Sequence, residues 1–147
     1  MNRFKSMMIV LIFLVAISLP HLVGAQSYAE QVWEQLQDDY DYFSEYGDYY
    51  LLNYVIGTLD EDAKDYWTWN FYGGDEYLIT AACDYDCTDI DITIKDSYGN
   101  ILQEDTRTDD QPYVEFSPSA TGDYQIEIHM YSCDEEPCYY GFGIFVK

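Results

Sequence analysis

The chain has 147 residues, 28 of them acidic and only 6 basic, for a formal net charge of −22 at pH 7. A surface this negative repels nucleic acid and anionic membranes, and it attracts cations or a basic partner. The 17 tyrosines, 7 phenylalanines and 3 tryptophans argue against disorder, because disordered chains are poor in aromatic residues.

The first 25 residues read as an export signal. Arg3 and Lys5 form a basic start, and residues 7–19 are an apolar run short for a bilayer span. Val23-Gly24-Ala25 supplies the small residues of a cut before Gln26. A secreted or periplasmic location is expected, with no membrane insertion after cleavage. Loss of Arg3 and Lys5 takes the charge from −22 to −24 and leaves Lys64, Lys95, Arg107 and Lys147 as the cations.

Residues 26–47 hold one helix. Ser27 and Glu30 have capping-box spacing. Ala29, Val32, Trp33, Leu36, Tyr40 and Phe43 then recur every three or four residues, which predicts an amphipathic helix over 28–45 that ends at Gly47. Residues 48–147 read as β structure, with strands expected at 49–58, 65–72, 76–82, 89–95, 100–105, 112–116, 123–132 and 139–146. Gly73-Gly74, Ser97-Tyr98-Gly99-Asn100, Ser117-Pro118 and Thr121-Gly122 supply turns between them. The expected fold is mainly β, an antiparallel jelly-roll-like β-sandwich of about eight strands. The helix is expected at one edge or end of it.

Four cysteines in an exported chain predict two disulfides, and four cysteines allow three connectivities. Cys83 with Cys87 and Cys133 with Cys138 is the favoured pairing, since each pair already sits in one short loop. Zinc fits poorly: the spacings are wrong for it and His129 is the one histidine after residue 25.

Several pieces of residues 76–147 carry a resemblance. They are Asp89-Ile90-Asp91-Ile92, Asp96-x-x-Gly99-Asn100, Thr121-Gly122-Asp123-Tyr124-Gln125-Ile126 and the closing Tyr140-Gly141-Phe142. This part resembles a bacterial pre-peptidase C-terminal domain. More narrowly, it is similar to a group of exported bacterial proteins with CD-x-DC-x-D-x-D and C-x-x-x-PCYYG signatures. The resemblance implies a jelly-roll-like sandwich acting as a non-catalytic appendage, of a kind in which some members bind calcium or extracellular polymers.

Antiparallel strands reverse at every turn, so alternate loops share an end. The loops around 60–62, 84–89, 105–110 and 134–136 then meet at one pole with most of the loop acids. Hard oxygen ligands suit calcium, the expected cofactor, with Asp84, Asp86, Asp89, Asp91, Asp105 and Asp109 as candidate ligands. The stretch is not an EF-hand: it lacks the central glycine, and Lys95 stands where the bidentate glutamate belongs. The other reading is a solvated acidic rim that keeps the protein soluble.

No catalytic constellation is legible. Tyr124, Ile126, Ile128 and Met130 alternate inward, which points Glu127, His129 and Tyr131 outward. No serine lies in a nucleophile elbow, and paired carboxylates are inevitable among 28 acids. Trp67, Trp69 and Phe71 share one strand face, either as core or as an aromatic platform. Burial is expected for at least two of Trp33, Trp67 and Trp69. The expected function is an exported non-catalytic interaction module, calcium-stabilised at its acidic end, whose partner is a protein or an extracellular polymer. The alternative is a carbohydrate- or polymer-binding accessory protein, which exposed tryptophans in a groove would favour.

Overall fold

A computed structural model of the chain describes residues 27–147; the expected signal peptide lies outside the described residues. Helix α1 (Tyr28–Tyr46) starts as its sequence dictates. Glu30 N donates to Ser27 Oγ at 3.2 Å, and Ser27 N donates back to Glu30 Oε2 at 3.4 Å. Gly47 N closes the last turn on the carbonyl of Phe43.

Eight strands follow: β1 (Tyr50–Leu59), β2 (Lys64–Phe71), β3 (Tyr77–Cys83), β4 (Cys87–Lys95), β5 (Ile101–Asp105), β6 (Tyr113–Phe116), β7 (Gly122–Cys133) and β8 (Cys138–Val146). They form two four-stranded sheets, β1-β8-β3-β6 and β2-β7-β4-β5, and every ladder is antiparallel. This is jelly-roll order. β4 starts at Cys87, ahead of the expected 89, because Cys87 pairs across the ladder with Cys133.

The core lies between the sheets. Ile90, Ile92 and Ile94 of β4 meet Ile126, Ile128 and Met130 of β7, and Ile79, Tyr140, Phe142 and Ile144 face them from the other sheet. Alternation delivers this on β4 and β7. On β3 every residue is buried, because α1 covers its second face.

The helix is therefore not at an edge or end. It lies on the outer face of the β1-β8-β3-β6 sheet. Val32 and Leu36 pack there with Ala82, Ile56 and Tyr139, while Phe43 packs with Tyr49, Leu78 and Phe145. That sheet is apolar on both faces and needs a cover. Gly141 lets the cover approach: a Cβ there would fall 2.7 Å from Val32 Cγ1 and 2.9 Å from Leu36 Cδ1.

Candidate functional site

β1 and β2 are consecutive in sequence but belong to opposite sheets, each as an edge strand. Neither ladders with the other. A cleft opens between them. Its inner part, about 170 Å³, is walled by Asn53, Tyr54, Val55, Trp67, Thr68 and Trp69 over a floor of Ile126, Phe142 and Ile144. Its outer part, about 380 Å³, is lined by Leu52, Thr68, Trp69, Asn70, Tyr72 and Tyr77. Not one of these residues is Asp, Glu, Lys, Arg or His.

Two of the three tryptophans, Trp33 and Trp69, are mostly buried as expected, and Trp67 is the exception. Phe71 enters the core, while Trp67, at 38 %, is exposed. Trp69 packs against the main core from its edge. Trp67 and Trp69 line the open side of the sandwich, where an edge strand has core on one side and solvent on the other.

Trp67 is held. Its Nε1 donates to Tyr140 Oη at 3.2 Å, and that hydroxyl donates to Asp65 Oδ2 at 2.5 Å. Tyr140 is fully buried. Burial first, and its bond to Asp65 second, push its hydroxyl pKa well above the ordinary tyrosine value. The phenol therefore stays protonated and keeps donating. Gly57 makes room for it, since a Cβ there would lie 2.9 Å from the Tyr140 ring. With its N–H engaged inward, Trp67 offers the cleft an apolar ring surface.

Beyond the Lys64 end of β2, where Glu61 N bonds to Glu136, lies the cysteine end. Cys83–Cys87 and Cys133–Cys138 are bonded, and no cysteine among the described residues is free. The six candidate calcium ligands do not gather into one group, and most are engaged with other partners. Asp84 is buried and braces the two loops: Oδ2 accepts from Tyr139 N at 2.7 Å and Oδ1 from Asp86 N at 3.3 Å. Burial raises its pKa, and those N–H groups work against the rise. The main-chain oxygen of Asp86 accepts from Asp134 N at 2.7 Å. Asp105 accepts from Arg107 Nε and Nη2 at 2.9 and 2.7 Å and from Tyr113 N at 3.2 Å, and the guanidinium holds its carboxyl below the usual range. Asp91 lies 3.2 Å from His129 Nδ1.

Asp89 is different. It is 7 % exposed, and its Oδ1 has no hydrogen-bond partner. Burial raises its pKa, and the charge of Asp109 adds to the rise. Asp109 is brought beside it by the bond from Ile90 N to the Asp109 carbonyl at 3.1 Å. The β4–β7 register shifts on both sides of Asp89, so simple alternation does not fix its direction. Among the described residues, no three His, Cys, Asp or Glu side chains are grouped to hold a metal ion.

One group escaped sequence reasoning. Glu127 faces outward from β7 as alternation predicts, yet it is only 4 % exposed. Lys64 Nζ reaches it at 2.6 Å, and Lys95 clasps its other oxygen. Burial pushes its pKa up, but the two ammonium groups outweigh burial and hold it below the ordinary value. The available signal was register. Lys64 opposes His129 and Lys95 opposes Gln125, which puts both cations diagonal to Glu127.

No family model matches the chain, and neither does any curated protein. Among solved structures, it is similar to the pre-peptidase C-terminal domain of collagenase from Bacillus anthracis, at 13 % identity and a TM-score of 0.46. That match covers 63 % of this chain and 87 % of the other. It is also similar to a structure described as "CBM4 structure and function", at 17 % identity and a TM-score of 0.38, covering 71 % and 82 % respectively. Likenesses this distant bear on neither ligand nor activity.

Proposed function

We propose that this chain is an exported, non-catalytic binding module that takes an extracellular carbohydrate polymer in the β1/β2 cleft. The observation that carries the reading is the placement of Trp67 and Trp69. They stand half-open over an apolar floor, within a lining that holds no charged residue. Aromatic faces attract the C–H faces of sugar rings, while amides and hydroxyls serve their hydroxyl groups. Asn53, Thr68 and Asn70 supply the latter here. The lining has no carboxylate, imidazole or thiol to move a proton or attack a bond, which favours binding over catalysis. The basic-apolar start of the chain and its two disulfides support export.

The test is retention of the mature protein on insoluble polysaccharides, compared with Trp67→Ala. Retention by at least one polysaccharide, lost in the variant, is expected. Equal retention of both proteins removes the cleft from the reading.

A second reading, calcium at the cysteine end, is favoured by Asp89 alone. A buried carboxylate oxygen without a donor, beside a second carboxylate, has the chemistry of a calcium ligand. Waters and backbone carbonyls would complete the shell.

A further inference from the structure

The cleft does not stop at Tyr54. On the far side of that ring a second groove, about 230 Å³, runs between α1 and β1 and is lined by Trp33, Leu36, Gln37, Tyr40, Leu51 and Tyr54. Tyr54 is a wall of both. Its ring centroid lies 4.7 Å from that of Trp33, at an interplanar angle of 44°. Leu51 lines the helix groove and Leu52 the outer cleft, and the β1–β8 register shifts between Leu51 and Asn53. The three spaces share walls, Trp69 between the two parts of the cleft and Tyr54 at the β1 edge between cleft and helix groove. Aromatic rings thus follow one another from Tyr72 and Trp69 past Trp67 and Tyr54 to Trp33 and Tyr40, a track that crosses the β1 edge at Tyr54.

Charge singles this track out. The chain carries 28 acids, yet the helix-side groove, like the cleft, is lined without one. β1 has no charged residue along its whole length, and β2 has none from Tyr66 to Phe71. The acids of α1, Glu34, Asp38 and Asp41, sit along the groove's far bank with Gln37 and Tyr40. A surface this acidic repels a polymer of uronic acids or sulfated sugars. A neutral chain meets no such barrier, and along the track it meets rings and amides.

The amides are pre-assigned. Asn53 Oδ1 already accepts from Tyr54 N at 2.9 Å, so the side chain offers the cleft its N–H donors. Asn70 Nδ2 already donates to Asp123 at 2.8 Å, so it offers a carbonyl oxygen. One donor and one acceptor at separate points on the rim suit a repeating ring with hydroxyls on both edges.

Length follows from geometry. Strand rise puts Trp67 and Asn70 about 10 Å apart, and helix rise puts Trp33 and Tyr40 about 10 Å apart. Each is longer than a single pyranose.

We infer that the module binds a linear, neutral polysaccharide along its length, with α1 contributing a second subsite at Trp33 and Gln37 beyond the Trp67–Trp69 cleft. This rests on the cleft reading above and adds ligand charge, ligand length and the role of the helix.

The experiment screens the mature protein on an immobilised panel of neutral and uronic polysaccharides. Calorimetry then follows, using oligosaccharides of the retained polymer from disaccharide to octasaccharide. Affinity is expected to rise beyond the disaccharide. Trp33→Ala should weaken the octasaccharide about tenfold, the value of one aromatic contact, and leave the disaccharide unchanged. Gln37→Ala, an exposed change that spares packing, should act in the same direction and so controls for disturbance of α1. Trp67→Ala should weaken both oligosaccharides. A disaccharide that binds as tightly as the octasaccharide, helix variants without effect, or preference for the uronic polymers would each overturn this inference and leave the cleft standing. No retention on any polymer of the panel would instead overturn the cleft reading itself.

Discussion

Trp67 and Tyr140 are bonded across the sandwich, indole N–H to phenol oxygen at 3.2 Å, with Tyr140 buried and Trp67 at the cleft. The pair joins the interior to the candidate binding surface. Removing the phenol oxygen by Tyr140→Phe leaves Asp65 without this donor and the indole N–H without its acceptor. We expect a loss of about 1 kcal/mol in stability, the usual net value of a hydrogen bond, because Trp67 and Asp65 both keep some access to water. A denaturant titration measures it. The indole should also become mobile, so Trp67 fluorescence anisotropy should fall. Unchanged anisotropy would show that packing against Phe142, 5.9 Å away between centroids, holds the ring unaided.

Gly141 sits under the helix, and Gly141→Ala tests how tightly α1 is seated. Its new methyl would meet Val32, Leu36 and the Val55 carbonyl inside 3 Å. Overpacking of that kind costs about 1–3 kcal/mol. Hydrogen exchange should rise along α1 and stay low in β4 and β7, whose packing is remote. Protection lost equally in both sheets would contradict a helix that merely covers one of them.

The parts of this fold visible in the sequence are those fixed by near neighbours. Ser27 and Glu30 announce the helix start, Ile90, Ile92 and Ile94 announce a strand, and the short cysteine spacings announce local bridges. What stayed hidden depends on partners far along the chain. β1 pairs with β8 and β2 with β7, and only that choice leaves Trp67 and Trp69 at an open edge. The two-sided burial of β3 likewise reads as a core strand until α1 is seen on top of it. Strand reversal predicts that acidic loops meet, and Asp134 N does bond to the Asp86 carbonyl and Glu61 N to Glu136, but side-chain direction was not legible. Asp84 turned to Tyr139, Asp105 to Arg107 and Asp91 to His129, so the six acids do not form one cage.

Glu127 and Asp105 are expected to contribute to loss of stability in acid. Both have folded pKa values below their ordinary ones, Glu127 because Lys64 and Lys95 overcome its burial, Asp105 because of Arg107. A depressed carboxylate contributes stability that is present above its unfolded pKa and is lost as pH falls through the folded pKa. Their contributions should therefore disappear below about pH 4. Glu127→Gln should leave the acid limb of a melting-temperature profile shallower. At neutral pH it should cost stability, because two ammonium groups lose their shared partner. A profile with an unchanged acid limb would mean that Glu127 titrates as it does in the unfolded chain.

Asp89 carries the opposite sign, which makes it a test of calcium. Its folded pKa is raised, first by burial and then by Asp109. The folded state thus holds a proton more tightly than the unfolded chain, and stability falls as pH rises through that window. Without metal, Asp89→Asn should therefore raise the melting temperature at pH 7, since it removes a buried charge that has an unpartnered oxygen. With calcium the order should reverse. A site filled at 100 times its dissociation constant adds about 2.7 kcal/mol to the unchanged protein. The Asp89→Asn variant would give up most of that gain, so it should no longer respond to calcium or to chelator. Magnesium should do less, because it demands tighter octahedral geometry. Sodium chloride at matched ionic strength separates binding from screening of the acidic pole. If calcium and matched salt stabilise the unchanged protein equally, and Asp89→Asn responds just as the parent does, the pole is a solvated acidic rim.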